Sequence, residues 1–238
     1  MQLVKRRRLH TIKIHREGTG VLIPLLCVLI ALNVPLWLFM APGPVPIILS
    51  ALSAVGYLFV FNFFRCPHRD YTGPRDNMVV SSVDGKVVAV EKVFEGEYLR
   101  HEAIMVSVFM SPLNVHANWF PVDGEVEYVR HHSGRFLSAW LPKASTENER
   151  STVGIRMDNG RRITVRQIAG AMARRIVTYA HVHDDACIDD HLGFIKFGSR
   201  VDIYLPVDSE ILLKINDYTA GGVTPLAVVP PPSGQKLP

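Results

Sequence analysis

Two apolar runs stand side by side near the start of this 238-residue chain, and they limit its folding more than any other feature. From Val21 to Ala41 only Asn33 interrupts the first; from Val45 to Phe64 only Ser50, Ser53 and Asn62 interrupt the second. A helix of about 20 apolar residues spans the ~30 Å hydrocarbon layer of a bilayer. Pro42-Gly43-Pro44 lies between the runs and breaks helical structure, so the pair reads as a hairpin. Lys5, Arg6, Arg7, Arg8, Lys13 and Arg16 precede it, Arg65 and Arg69 follow it, and the turn carries no charge. That asymmetry puts both ends in the cytoplasm. A cleaved signal peptide fits poorly, because the second run follows at once and no small-x-small site ends the first. Pro24 and Pro35 leave a re-entrant hairpin open beside a full double span. Residues 1–20 are therefore read as a basic cytoplasmic N-terminus and 21–64 as a membrane anchor.

The net charge of +4 is concentrated beside the anchor. A nucleic-acid binder would instead stripe a folded domain with cations, so no nucleic-acid partner is expected. Cys27, Cys66 and Cys187 form no CxxC pair, which argues against a disulfide framework and fits a reducing compartment.

After Phe64 the pattern changes to short β-rich runs separated by turn signals, and no long helical period appears. Val79–Val83 leads through Asp84-Gly85 to Lys86–Val90; Phe120-Pro121-Val122 leads through Asp123-Gly124 to Glu125–Val129. Asp-Gly between Val-rich runs predicts hairpins, and the likeness of the two segments hints at internal duplication. Further strands are expected at 103–110, 153–157, 161–169, 173–179, 194–205 and 210–215. Closely spaced short strands predict a mainly β barrel or sandwich over 65–224. The Pro-rich segment 225–238 is read as a disordered tail.

Gly198-Ser199 interrupts the strand-like run 192–206. A glycine there costs backbone entropy and packs no side chain. It fits either a bulge or a close approach to the Gly198 carbonyl, for which the Ser199 hydroxyl is the obvious candidate. Asp84 either shapes its turn or orients a base. His116 is the best acid–base candidate if it reaches the same place. His181, His183, Asp184, Asp185, Asp189, Asp190 and His191 lack convincing paired ligand spacing and read as a solvated loop, so no metal is expected. Arg174 and Arg175 are adjacent and would face opposite sides of a strand.

Several ordered segments together resemble the phosphatidylserine decarboxylase proenzymes, in particular their short membrane-associated bacterial and archaeal branch. These are Phe63–Arg69, Val80–Val87, Ser111–His116, Asn148-Glu149-Arg150, Gln167–Gly170, Ala173–Ile176 and Ile195–Asp202. The resemblance implies a barrel-sandwich hybrid (lipoyl-like) domain behind the transmembrane helical hairpin. It implies self-cleavage between Gly198 and Ser199 and conversion of Ser199 to a covalent pyruvoyl cofactor that forms a Schiff base with phosphatidylserine. The large (1–198) and small (199–238) chains would remain together as a heterodimer. The product would be phosphatidylethanolamine with carbon dioxide, made at the cytoplasmic face of a bacterial inner membrane with the lipid bilayer as partner. Asp84 and His116 match helpers of self-cleavage. The second His of the longer branch falls on Trp119, which leaves the processing base open among His116, His181, His183 and the other histidines. A non-catalytic lipoyl-like adaptor and a pyruvoyl decarboxylase for another amino-acid headgroup are the alternatives.

Overall fold

The computed structural model describes residues 12–138, 144–170, 175–196 and 199–232. The chain divides into two units, between His68 and Arg69. The first unit holds β1 (Ile12–Ile14), α1 (Arg16–Phe39), α2 (Pro44–Phe63) and β2 (Arg65–Pro67), with β1 and β2 antiparallel. Helix α1 starts five residues before the apolar run, because His15 Nδ1 accepts the Glu17 amide at 3.3 Å and caps the first turn. Both helices are long and apolar enough to cross a membrane, and their apolar side chains point outward. Asn33 joins them: its Nδ2 donates to Ser53 Oγ at 3.1 Å, and Ser50 Oγ donates to its Oδ1 at 2.8 Å. The three polar interruptions Asn33, Ser50 and Ser53 are thus satisfied by one another, as an apolar environment requires.

The second unit is built from strands. In chain order they are β3 (Met78–Val80), β4 (Gly85–Glu95), β5 (His101–Met110), β6 (Ala117–Trp119) and β7 (Gly124–His132). A short helix α3 (Ala144–Glu147) precedes β8 (Arg150–Met157), β9 (Arg162–Ile168), β10 (Arg175–Thr178), β11 (Asp185–Ala186) and β12 (His191–Lys196). The chain ends in β13 (Ser199–Pro206), β14 (Glu210–Ile211), β15 (Tyr218–Thr219) and β16 (Pro225–Val228). An eight-stranded curled sheet runs β11-β7-β8-β9-β13-β5-β4-β15, and two three-stranded sheets run β10-β12-β6 and β14-β16-β3. Alternate residues face inward. Val106, Val108, Val153, Ile155, Val165, Val201 and Ile203 from the large sheet share one buried cluster with Ile176, Leu192, Ala227 and Leu226 from the small ones.

The pairing repeats itself. Lys86 faces Phe109 and Phe109 faces Arg200; in the same way Glu125 faces Arg156 and Arg156 faces Arg162. Strands β4-β5-β13 thus correspond to β7-β8-β9, and β3, β14, β15 and β16 correspond to β6, β10, β11 and β12. Matching bulges follow both Asp-Gly dipeptides, between Val87 and Ala89 and between Val126 and Tyr128. The duplication hinted at by two short segments extends through the whole β unit. In one half the third strand follows the second directly, through the turn Asp158-Asn159-Gly160 that joins Met157 to Arg161. In the other half the same connection, from Met110 to Ser199, is opened, and the entire second half is inserted there.

Two expectations need correction. Neither Asp-Gly forms a hairpin: β3 pairs with β16, β6 with β12, and each dipeptide is a corner where the chain leaves a small sheet for the large one. Glycine is needed there for close approach. A Cβ on Gly85 would meet the Phe109 carbonyl oxygen at 2.3 Å, and one on Gly124, at φ +156°, the Arg156 carbonyl oxygen at 2.1 Å. The segment from Pro225 is not a disordered tail as far as Pro232. Residues 225–228 form β16, with Leu226, Ala227 and Val229 buried, because their apolar side chains complete the core before the prolines stop the strand. Residues 233–238 lie outside the described residues.

Candidate active site

Ser199 opens β13 opposite Met110, the last residue of β5. It is fully buried, and its Oγ donates to the Met110 sulfur at 3.2 Å. Gly198 and Phe197 lie outside the described residues, as does Arg174. Strand alternation puts Ser199 on the core side with Val201 and Ile203. Arg200 and Asp202 face the other side as a buried ion pair, Nε to Oδ1 at 2.9 Å. Ser145 Oγ donates to Asp202 Oδ2 at 2.8 Å. The strand start is thus held from both faces.

The chain after Met110 turns tightly. Asn114 Oδ1 accepts the Ser111 amide at 2.9 Å and its hydroxyl at 2.7 Å. This turn delivers His116, fully buried, with Nδ1 3.0 Å from the Asn114 carbonyl. A carbonyl only accepts, so Nδ1 is the donor in that contact, and Nε2 is the ring nitrogen able to exchange a proton. The His116 carbonyl accepts the Ile195 amide at 3.3 Å, which ties this segment to the strand leading into the Gly-Ser pair.

Asp84 sits at its corner as the acceptor of a dense set of bonds. Arg69 grips it through both terminal guanidinium nitrogens, Nη1 on Oδ1 and Nη2 on Oδ2, the latter at 2.9 Å. The Gly221 amide donates to Oδ1 at 2.9 Å, and Arg69 Nη1 donates to the Gly221 carbonyl at 2.7 Å. The guanidinium also stacks over the Trp119 ring, 4.6 Å from its centroid. Asp123 at the equivalent corner has the equivalent set: Arg75 Nη1 binds it at 3.1 Å, and the Ile188 amide donates to Oδ1 at 2.9 Å. Arg75 Nη2 continues to Asp189 at 2.6 Å. Although burial lowers it, these bonds and charges hold the Arg75 guanidinium pKa above its usual range.

A cavity of about 410 Å³ lies at the Asp123 corner, lined among others by Arg75, Asp123, Met157 and Asp158. The internal repeat carries Asp123 to Asp84, Met157 to Met110 and Arg161 to Ser199. A second cleft, about 340 Å³, lies on the outward face of β4, β5 and β13 among Ser107, Arg166, Arg200 and Tyr204.

The structure brings Ser199 to Met110, ties His116 to the strand before the Gly-Ser pair, and engages Asp84 with Arg69 and Gly221. His181 and His183 are exposed, the latter 3.2 Å from Glu125. Asn148, part of a quoted segment, is a clamp: its side chain bonds Leu137 twice and the Ala169 carbonyl once. Sequence reasoning missed Arg69 and Arg75 as carboxylate partners. Gly221 is 152 residues from Arg69, and no local pattern signals that contact.

The sequence model of the family described as phosphatidylserine decarboxylase matches residues 57–227, and the chain belongs to that family. It is 51% identical over 222 residues to a phosphatidylserine decarboxylase proenzyme of Phocaeicola vulgatus, covering 93% of this chain and 97% of that protein. It is 50% identical over 222 residues to the protein of that name in Bacteroides thetaiotaomicron, with the same coverage. The one in Cytophaga hutchinsonii is 41% identical over 215 residues, covering 90% of this chain and 97% of that protein.

Proposed function

We propose that this chain is made as a proenzyme, cuts itself between Gly198 and Ser199, and then decarboxylates phosphatidylserine to phosphatidylethanolamine. The observation that carries the reading is the place of Ser199. It opens a core strand where the other half of the repeat closes a hairpin. A break there leaves the ladders of β13 to β5 and β9 in place.

In the cut, Ser199 Oγ bonds to the Gly198 carbonyl carbon as the peptide C–N bond breaks, and the hydroxyl proton passes to the released nitrogen. His116 Nε2 is the proton carrier we favour. The ester then loses the Ser199 α-proton and its Cβ–Oγ bond, freeing the Gly198 carboxylate. Addition of water and loss of ammonia leave a pyruvoyl terminus. The surroundings of Ser199 fit that group. A neutral keto amide suits a fully buried position beside the Met110 sulfur, where a charged α-amino terminus would be costly. When present, the pyruvoyl carbonyl takes up the substrate amine and draws off the electron pair left by carbon dioxide.

The protein's own contribution is to hold the pieces. The small chain would supply β13 to β16, and β13 lies between β9 and β5 in the middle of the large sheet. Its ladders to β5 and β9 and the bond from Ser145 to Asp202 fix the position of residue 199 without a covalent link. The internal repeat and the packing of one curled sheet against two small ones support a lipoyl-like barrel-sandwich hybrid. The two apolar helices support attachment to a bilayer, with the catalytic unit on the cytoplasmic face of a bacterial inner membrane.

The test is purified full-length protein in detergent, resolved on a denaturing gel and supplied with phosphatidylserine. Two chains, a small chain whose mass matches a pyruvoyl terminus, and release of carbon dioxide are expected. Ser199→Ala stays uncut and inactive. An intact active chain, or a cut Ser199→Ala protein, overturns the mechanism. Two chains that release carbon dioxide only from another amino-acid headgroup overturn the substrate.

A further inference from the structure

Two arginines from the segment that enters the β unit, Arg69 and Arg75, each bind the aspartate of one Asp-Gly corner. The corners are equivalent in fold, yet their onward connections differ. Behind Asp123 the strands close through an intact turn; behind Asp84 the equivalent connection is open at Ser199. Gly85, next to Asp84, packs against the Phe109 carbonyl, and the following residue, Met110, faces Ser199 and accepts its hydroxyl, so the Asp84 corner and Ser199 meet at the same end of β5. Arg69 is also more deeply buried than Arg75. It makes a two-pronged bond to Asp84, bonds the Gly221 carbonyl and stacks on Trp119, and both partners of the ion pair are only 13% exposed.

We propose that Arg69 is a positioning residue for self-cleavage: it fixes the Asp84 carboxylate and ties it to Gly221 of the prospective small chain. This rests on the reading of Asp84 as a helper of the cut at Ser199. Arginine suits the task because a planar fork fixes both carboxylate oxygens and lies flat on an indole, which an ammonium does not. The Arg75–Asp123 corner performs the same structural service without a cleavage site, so it is an internal control.

The experiment follows the appearance of the small chain over time after a pulse of synthesis, in the full-length protein. Arg69→Ala is expected to slow the cut about tenfold or more, the scale on which misplaced reacting groups act. Arg69→Lys restores it in part. Arg75→Ala cuts at the parental rate. Thermal unfolding of each variant, in a Ser199→Ala background, reports the cost to the fold. The double variant Arg69→Ala/Asp84→Asn cuts no more slowly than Asp84→Asn alone, because Arg69 acts through Asp84. Parental cutting by Arg69→Ala beside a slow Asp84→Asn overturns the proposal, as does additive slowing in the double variant. Equal slowing by Arg75→Ala at equal loss of stability overturns it too. If Arg69→Ala does not fold, Arg69→Lys decides: slower cutting at parental stability supports the proposal, and parental cutting overturns it. Parental cutting by Asp84→Asn instead overturns the underlying role of Asp84, and is read separately.

Discussion

Ile203 and Val165 face each other across the β13–β9 ladder, at the point about which the two halves of the β unit repeat. Each is the counterpart of the other, and both are fully buried. The centre of the large sheet is therefore a contact between the prospective small chain and the large one. A cut at Ser199 would put the seam along this buried ladder.

Ile203→Ala removes buried atoms at that seam and is expected to cost about 2–5 kcal/mol. Denaturant unfolding of the uncut Ser199→Ala protein measures it. In the processed protein the same change releases the small chain at lower denaturant. Parental stability for Ile203→Ala would show that the seam is not packed as described.

Gly85→Ala and Gly124→Ala each force a Cβ against a carbonyl oxygen of the neighbouring strand. Both are expected to destabilise the fold by more than about 1 kcal/mol. Only Gly85→Ala also slows the appearance of the small chain, because only its corner adjoins the open connection. The two readouts, melting temperature and rate of cutting, separate the corners.

Glu97 accepts from Tyr128 at 3.0 Å, His132 at 2.5 Å, Thr152 at 2.9 Å and Arg166 at 3.2 Å. Burial pushes its carboxyl pKa up, but these donors outweigh burial and hold it below the ordinary value. Its folded pKa is thus lower than its unfolded one. The stability it contributes is complete above the unfolded value and disappears as pH falls through the folded one. Melting of Ser199→Ala protein between about pH 5 and pH 3 should show this fall. Adding Glu97→Gln lowers the melting temperature near neutrality and flattens the acid slope; equal slopes would exclude Glu97 as its source.

Asn33→Leu removes the bonds that join α1 to α2 through Ser50 and Ser53. Polar contacts between helices in a membrane contribute about 0.6 to 1.7 kcal/mol. A loss of that size is expected when the hairpin is unfolded in mixed detergents. A stability unchanged or raised would show that the two helices hold together by packing alone.

The sequence alone determined the features that depend on local chemistry. Two apolar runs of about 20 residues placed α1 and α2, because helix length against an apolar phase needs no partner elsewhere in the chain. Short β-rich runs bounded by turn signals located most strands, and Gly198-Ser199 stood out because a strand has no use for that glycine. Family likeness then gave the activity. Tertiary structure decided everything that joins distant residues. Asp84-Gly85 reads locally as a hairpin turn, but pairing of β3 with β16 makes it a corner between sheets. Pro225–Val228 reads as tail, but burial against β3 makes it a strand. Arg69 finds Gly221 only because the chain returns after 152 residues. A carboxylate's partner is fixed by where strands meet, and strand pairing at that range leaves no trace in the spacing of neighbouring residues.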